Sequence, residues 1–84
     1  MALLMAKQWT LLIVPSALQE IYRIPRGAVA EVTAAIGQLE QDPFPDNADR
    51  IALIENCYRI SASGRIIEYQ VLEEERQVKI LQVE

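Results

Sequence analysis

From Trp9 to Val14 the chain reads WTLLIV, an aromatic, aliphatic and β-branched run almost without a polar break, which predicts a strand buried on both faces. Pro15 ends that run. Ser16, with Gln19 three residues on, has the form of a capping box ahead of a short helix whose apolar stripe is Ala17, Leu18, Ile21 and Tyr22. Ile24 and Pro25 close it. A second helix is predicted from about Gly27 to Gln41, because Val29, Val32, Ile36 and Leu39 recur at intervals of three or four along one face. The stretch Asp42-Pro43-Phe44-Pro45-Asp46-Asn47 cannot continue a helix and reads as a loop anchored by Phe44. The period then shortens. A strand is expected within Ile51–Ile60, a turn at Ser61–Gly64, a second strand over Arg65–Leu72, a turn at Glu73–Glu75 and a last strand over Val78–Val83. The predicted class is α+β in the order β-α-α-β-β-β, a small and mostly antiparallel sheet with two helices packed on one face.

Composition narrows what such a fold can do. Eighty-four residues make a single domain, 1–84, whose small core would gain from a partner or from oligomerisation. Half the residues are apolar, enough for a compact domain. Twelve Asp and Glu outnumber eight scattered Lys and Arg, a net charge of −4, so nonspecific affinity for nucleic acid is expected to be weak. No histidine is present and Cys57 is the sole cysteine. Imidazole catalysis and an internal disulfide are excluded, and neither a metal nor a cofactor is predicted. No apolar run approaches the length of a membrane span. The apolar start, Met1–Ala6, is followed at once by Lys7, Gln8 and Trp9, which argues against a secretory signal and for a cytoplasmic protein.

Order and spacing together carry a resemblance. A strand ending in Pro15-Ser16-Ala17, a short helix, a proline, a longer helix ending in Asp42-Pro43, a Pro-containing loop, then Cys57-Tyr58-Arg59-Ile60, Ser63-Gly64 and Tyr69-Gln70-Val71 is similar to the RelE/ParE toxin superfamily over about Gln8–Val83. The resemblance implies the toxin component of a bacterial type II toxin–antitoxin system, held inactive by an antitoxin protein. RelE-like members cleave messenger RNA on the ribosome and ParE-like members poison DNA gyrase. If this chain is an enzyme, the resemblance therefore implies a ribosome-dependent mRNA endoribonuclease.

That chemistry needs a group to withdraw the 2′-hydroxyl proton, cations for the phosphorane and an acid for the leaving oxygen. Arg59 falls where the family has its basic residue after the Cys-Tyr pair, and Arg65 is the second catalytic candidate. Aligning Gly64 and Tyr69 places the family's arginine position on Ile66, one residue past Arg65, and a one-residue offset in a strand sends the side chain to the opposite face, whereas a gap placed differently returns Arg65 to the open face. Glu68 and Gln70 would share the face of Ile66, putting a carboxylate where a phosphate should lie. Where the family continues into a basic tail with a terminal aromatic or imidazole, this sequence ends at Glu84. Tyr58 and Tyr69 read as structural, Cys57 as a half-buried strand residue, Trp9 as packing, Glu73–Glu75 as a solvated turn, and Arg23 and Arg26, which flank Pro25, as solvated residues, with a small basic spot as the other reading. The expectation is a toxin-like fold with doubtful nuclease activity, directed at mRNA or gyrase. The alternative is a catalytically inert module that uses the scaffold to bind a protein, and exposed edge strands would also permit a homo-oligomer.

Overall fold

The computed structural model describes residues 9–84, and the Met1–Ala6 segment lies outside them. The elements are β1 (Thr10–Ile13), α1 (Pro15–Tyr22), α2 (Arg26–Gln38), β2 (Asp49–Arg50), β3 (Cys57–Ala62), β4 (Arg65–Leu72) and β5 (Gln77–Val83). The sheet runs β1-β5-β4-β3-β2. Its β1–β5 pair is parallel and its other pairs are antiparallel. The α1–α2 hairpin carries the chain from β1 at one edge of the sheet to β2 at the other, and the meander then returns it so that β5 lies parallel beside β1.

Both helices cover one face. Ala17 and Ile21 of α1, Val32 and Ile36 of α2, and Ile60, Ile67, Tyr69, Val71, Val78, Ile80 and Val83 of the strands form a single buried cluster. Strict alternation along β4 sends Ile67, Tyr69 and Val71 into it and leaves Ile66, Glu68 and Gln70 on the other face. Each such side chain contributes about 1.5–3 kcal/mol by leaving water.

Three local expectations need correction. Trp9–Val14 is not buried on both faces: β1 is an edge strand, with Thr10 and Leu12 exposed and Leu11 and Ile13 half-buried. Its apolar run reflects packing on one side and a neighbour on one side only. The capping box at Ser16 and Gln19 does not form, because the helix starts two residues earlier. Val14 is the N-cap, Pro15 occupies the first turn, and no side chain caps the end. Proline suits that position, where its fixed φ is already helical and its missing N–H is not needed. The second helix closes at Gln38 rather than Gln41, its last residues passing into turns.

Turn chemistry sets the meander's register. Ser63 (φ 55°) and Gly64 (φ 76°) both occupy the left-handed region between paired Ala62 and Arg65, the pattern of a two-residue type I′ hairpin. Further along, an irregularity between Glu68 and Tyr69 shifts β5, so that Glu68 faces Gln82 while Tyr69 faces Ile80. The N–H of Val83, just past that bulge, donates to the Glu20 carboxylate of α1 at 2.8 Å. This bond fastens the first helix to the end of the last strand. Glu20→Ala should lower stability by about 1–2 kcal/mol in urea unfolding, with Glu20→Gln losing less because its amide oxygen still accepts.

Candidate functional site

The face of the sheet away from the helices is the candidate site. Register places its residues in rows. One row runs Asp49, Arg59, Glu68, Gln82 across four strands. A second runs Cys57, Gln70, Lys79, Leu12. Ser61 and Ile66 form a third, which the paired backbone bonds of Ile66 and Glu84 (3.2 and 2.9 Å) extend to Glu84. The face therefore offers two cations, Arg59 and Lys79, among three carboxylates, Asp49, Glu68 and Glu84. Charge is mixed, not basic.

Arg59 is exposed and, among the described residues, makes no ion pair with the carboxylates on either side of it. Its guanidinium is available to a phosphate or a carboxylate ligand. Arg65 is placed differently. It pairs with Ala62, which packs against the core, so alternation puts it on the helix-covered side with Ile67. It is half-buried, and its Nε is enclosed without a hydrogen-bond partner. The two candidate arginines are thus not brought together: one belongs to each face.

The tyrosines are part of the framework. Tyr69 is fully buried, and its hydroxyl donates to the carbonyl of Pro43 at 2.8 Å. Tyr58 stacks on it with ring centroids 5.8 Å apart. Phe44 meets Tyr58 edge-on at 5.4 Å and Trp9 at 6.3 Å. The Arg76 guanidinium lies 4.5 Å over the Trp9 ring. This aromatic chain ties the Pro43–Pro45 loop to the sheet, so Phe44 anchors the loop as its sequence context predicts. Burial, then the Tyr58 and Asp42 charges, push the Tyr69 hydroxyl well above its ordinary value, and it stays protonated at neutral pH.

Cys57 is buried yet outside the helix-side cluster. It sits on the open face at the start of β3, paired with Gln70. Burial and then the neighbouring Glu68 charge raise its thiol above the usual range, the opposite of what a nucleophile needs. The thiol should react with an aromatic disulfide reagent at pH 8 several-fold more slowly than in the urea-unfolded chain, as absorbance would record.

Two residues of this face escape a reading of the sequence. Lys79 follows from the alternation of Val78 and Ile80, a signal that was present. Asp49 belongs to a two-residue strand, too short for any periodicity to reveal. Among the described residues no group of His, Cys, Asp and Glu is arranged to hold a metal, and no helix is long and apolar enough to cross a membrane.

No protein-family model matches the sequence, and no curated protein matches it. Its fold does match solved structures. The isolated RelE toxin of E. coli superposes with a TM-score of 0.79 at 21% identity, over 89% of this chain and 81% of that one. The RelE–RelB complex of Pyrococcus horikoshii OT3 gives 0.81 at 16% identity, covering 92% and 93%. The RelBE2 toxin–antitoxin complex of Mycobacterium tuberculosis gives 0.77 at 19%, covering 95% and 93%. The helix pair, the parallel closing strand and the meander described above are thus, over nine-tenths of the chain, the fold of the RelE toxins.

Proposed function

We propose that this chain is the toxin component of a type II toxin–antitoxin pair and is held inactive by an antitoxin protein. The observation that carries the reading is the extent of the shared fold, which includes RelE chains solved in complex with their antitoxins. On this reading the protein acts in the cytoplasm, on the translating ribosome and its mRNA or on gyrase. Arg59 is the residue that meets the target, through its unpaired guanidinium on the open face. Arg65 serves that face indirectly, by setting the start of β4. The β1 edge leaves a route to self-association.

A second reading is favoured by one feature of the same face. Asp49 and Glu68 flank Arg59 in its own row, and carboxylates beside a cation repel a phosphate. An inert protein-binding module would tolerate that arrangement, and a ribonuclease would not. Induced expression in a bacterial culture separates the two. The toxin reading expects arrested growth, relieved by Arg59→Ala, and a nuclease expects cleaved transcripts in addition. Growth unchanged by the wild-type chain, with transcripts intact, sinks the toxin reading and leaves the binding module.

A further inference from the structure

Two apolar features, at opposite edges of the sheet, lie outside the candidate site. The first is the tip of the loop that joins β2 to β3. Its sequence, Ile51-Ala52-Leu53-Ile54-Glu55-Asn56, is pinned at both ends, where the Ile51 N–H donates to the Cys57 carbonyl at 2.9 Å and the Asn56 carbonyl accepts from the Val71 N–H at 2.8 Å. Between the pins the apolar side chains face outward. Leu53 is fully exposed and Ile54 is 52% exposed, and Leu53 takes the left-handed region at φ 70°, which a leucine seldom adopts. Backbone strain of this kind persists only where the flanking structure imposes it, as the two pinned ends do here.

The second feature is an open groove between α1 and α2 of about 500 Å³, with Leu18, Tyr22 and Val29 over a floor of Ile13, Ile21 and Ile24. Tyr22 is 77% exposed, since α1 buries only Ala17 and Ile21 of its apolar stripe. Arg26 lines the groove and Arg23 stands directly after Tyr22, both of them exposed. No carboxylate lines it. At the tip, the sole charge among residues 51–56 is Glu55, also exposed. Among the described residues, none of Arg23, Arg26 and Glu55 makes an ion pair or side-chain hydrogen bond. Tip and groove of one molecule do not meet: Ile13 of β1 floors the groove, the tip leaves from β2, and β5, β4 and β3 lie between those edges.

We propose that the Leu53–Ile54 tip of one molecule inserts into the α1–α2 groove of a second copy, with Glu55 set against Arg23 and Arg26. Apolar side chains and opposite charges are then both matched by the chain's own surface. Because tip and groove are different patches, the contact is heterologous, and a pair formed by it leaves one tip and one groove free to continue. Assembly therefore does not stop at two. The contact is also small, since two side chains bury far less than the roughly 1,200–2,000 Å² of a stable interface, so the chain is monomeric when dilute and associates as its concentration rises. Pairing along the β1 edge is a separate mode, which joins backbone to backbone and needs neither Leu53 nor Glu55. The inference rests on the tip and the groove alone and stands whether or not the protein is a toxin.

Sedimentation of the full chain from about 20 µM to about 1 mM reads the assembly. The weight-average mass should start at the monomer and climb past the dimer. Leu53→Asp, at a fully exposed position outside the core, should abolish the rise. Glu55→Arg alone and Arg23→Glu/Arg26→Glu alone should each self-associate about tenfold more weakly than wild type. Their equal mixture should recover the wild-type rise, because each chain's tip then finds a groove of opposite charge. Amide spectra of the variants, unchanged away from the substituted positions, establish that each is folded. A mass fixed at the monomer across the range, a rise that stops at the dimer, a rise that survives Leu53→Asp, or a mixture that associates no more than its parts would each overturn the proposal.

Discussion

Tyr69→Ala should remove a large share of the folding stability and lower the urea midpoint sharply. Truncating a buried aromatic ring costs about 3–5 kcal/mol, and a domain of this size holds only about 4–13 kcal/mol in total. Tyr69 is fully buried at the centre of the sheet, and three connections end on it: the stack with Tyr58, the bond to Pro43 and the core packing of β4. Tyr69→Phe separates the ring from the hydroxyl. It keeps the packing, strands the Pro43 carbonyl and should lose about 1–2 kcal/mol in urea unfolding. The two variants also differ in alkali. Burial raises the Tyr69 pKa in the folded state, while an unfolded tyrosine titrates near ~10. The protonated hydroxyl therefore stabilises the fold fully below about pH 10, and that stability is lost as pH rises further. The wild-type chain should weaken above about pH 10 with a slope of about one proton more than Tyr69→Phe shows.

Removing the carboxylates beside Arg59 should strengthen RNA binding. At close range in water each like charge costs a phosphate about 1 kcal/mol, so Asp49→Asn/Glu68→Gln should bind a single-stranded RNA oligomer about thirtyfold more tightly than wild type at low salt. Log affinity should also fall more steeply with log salt. Fluorescence anisotropy across a salt series reads both. The Glu68 change has a second consequence on the same face: it removes a charge that raises the Cys57 thiol, so the thiol should react faster in the double variant. An unchanged RNA affinity would mean that Arg59 and its row do not meet phosphate at all.

What the sequence conveys about this fold depends on how many residues share each signal. The α1 and α2 stripes and the alternation of β4 each rest on several periodic positions, and Ile67, Tyr69 and Val71 lie on the face their spacing predicts. The edge position of β1 could not be foreseen, because an apolar strand of four residues looks the same at a sheet's edge and in its middle. The lost capping box has a similar cause: Ser16 and Gln19 satisfy a local pattern, but Pro15 can start the helix two residues sooner. At the site, the difference between Arg59 and Arg65 turns on a single step of register. The Ser63–Gly64 turn fixes that step in three dimensions, and its two-residue length can be read only once the pairing of Ala62 with Arg65 is known. The exposed side of α1 is legible as an apolar stripe, but the groove it forms with α2 needs both helices in place.

The most direct test of the toxin reading is growth. The chain is expressed from an inducible promoter, alone and together with any small protein that an adjacent gene encodes, and colony counts are followed over several hours. The reading predicts that induction alone stops growth and that co-expression restores it, with the two proteins recovered as a stable complex. Uninhibited growth of cells that accumulate the folded chain would contradict it.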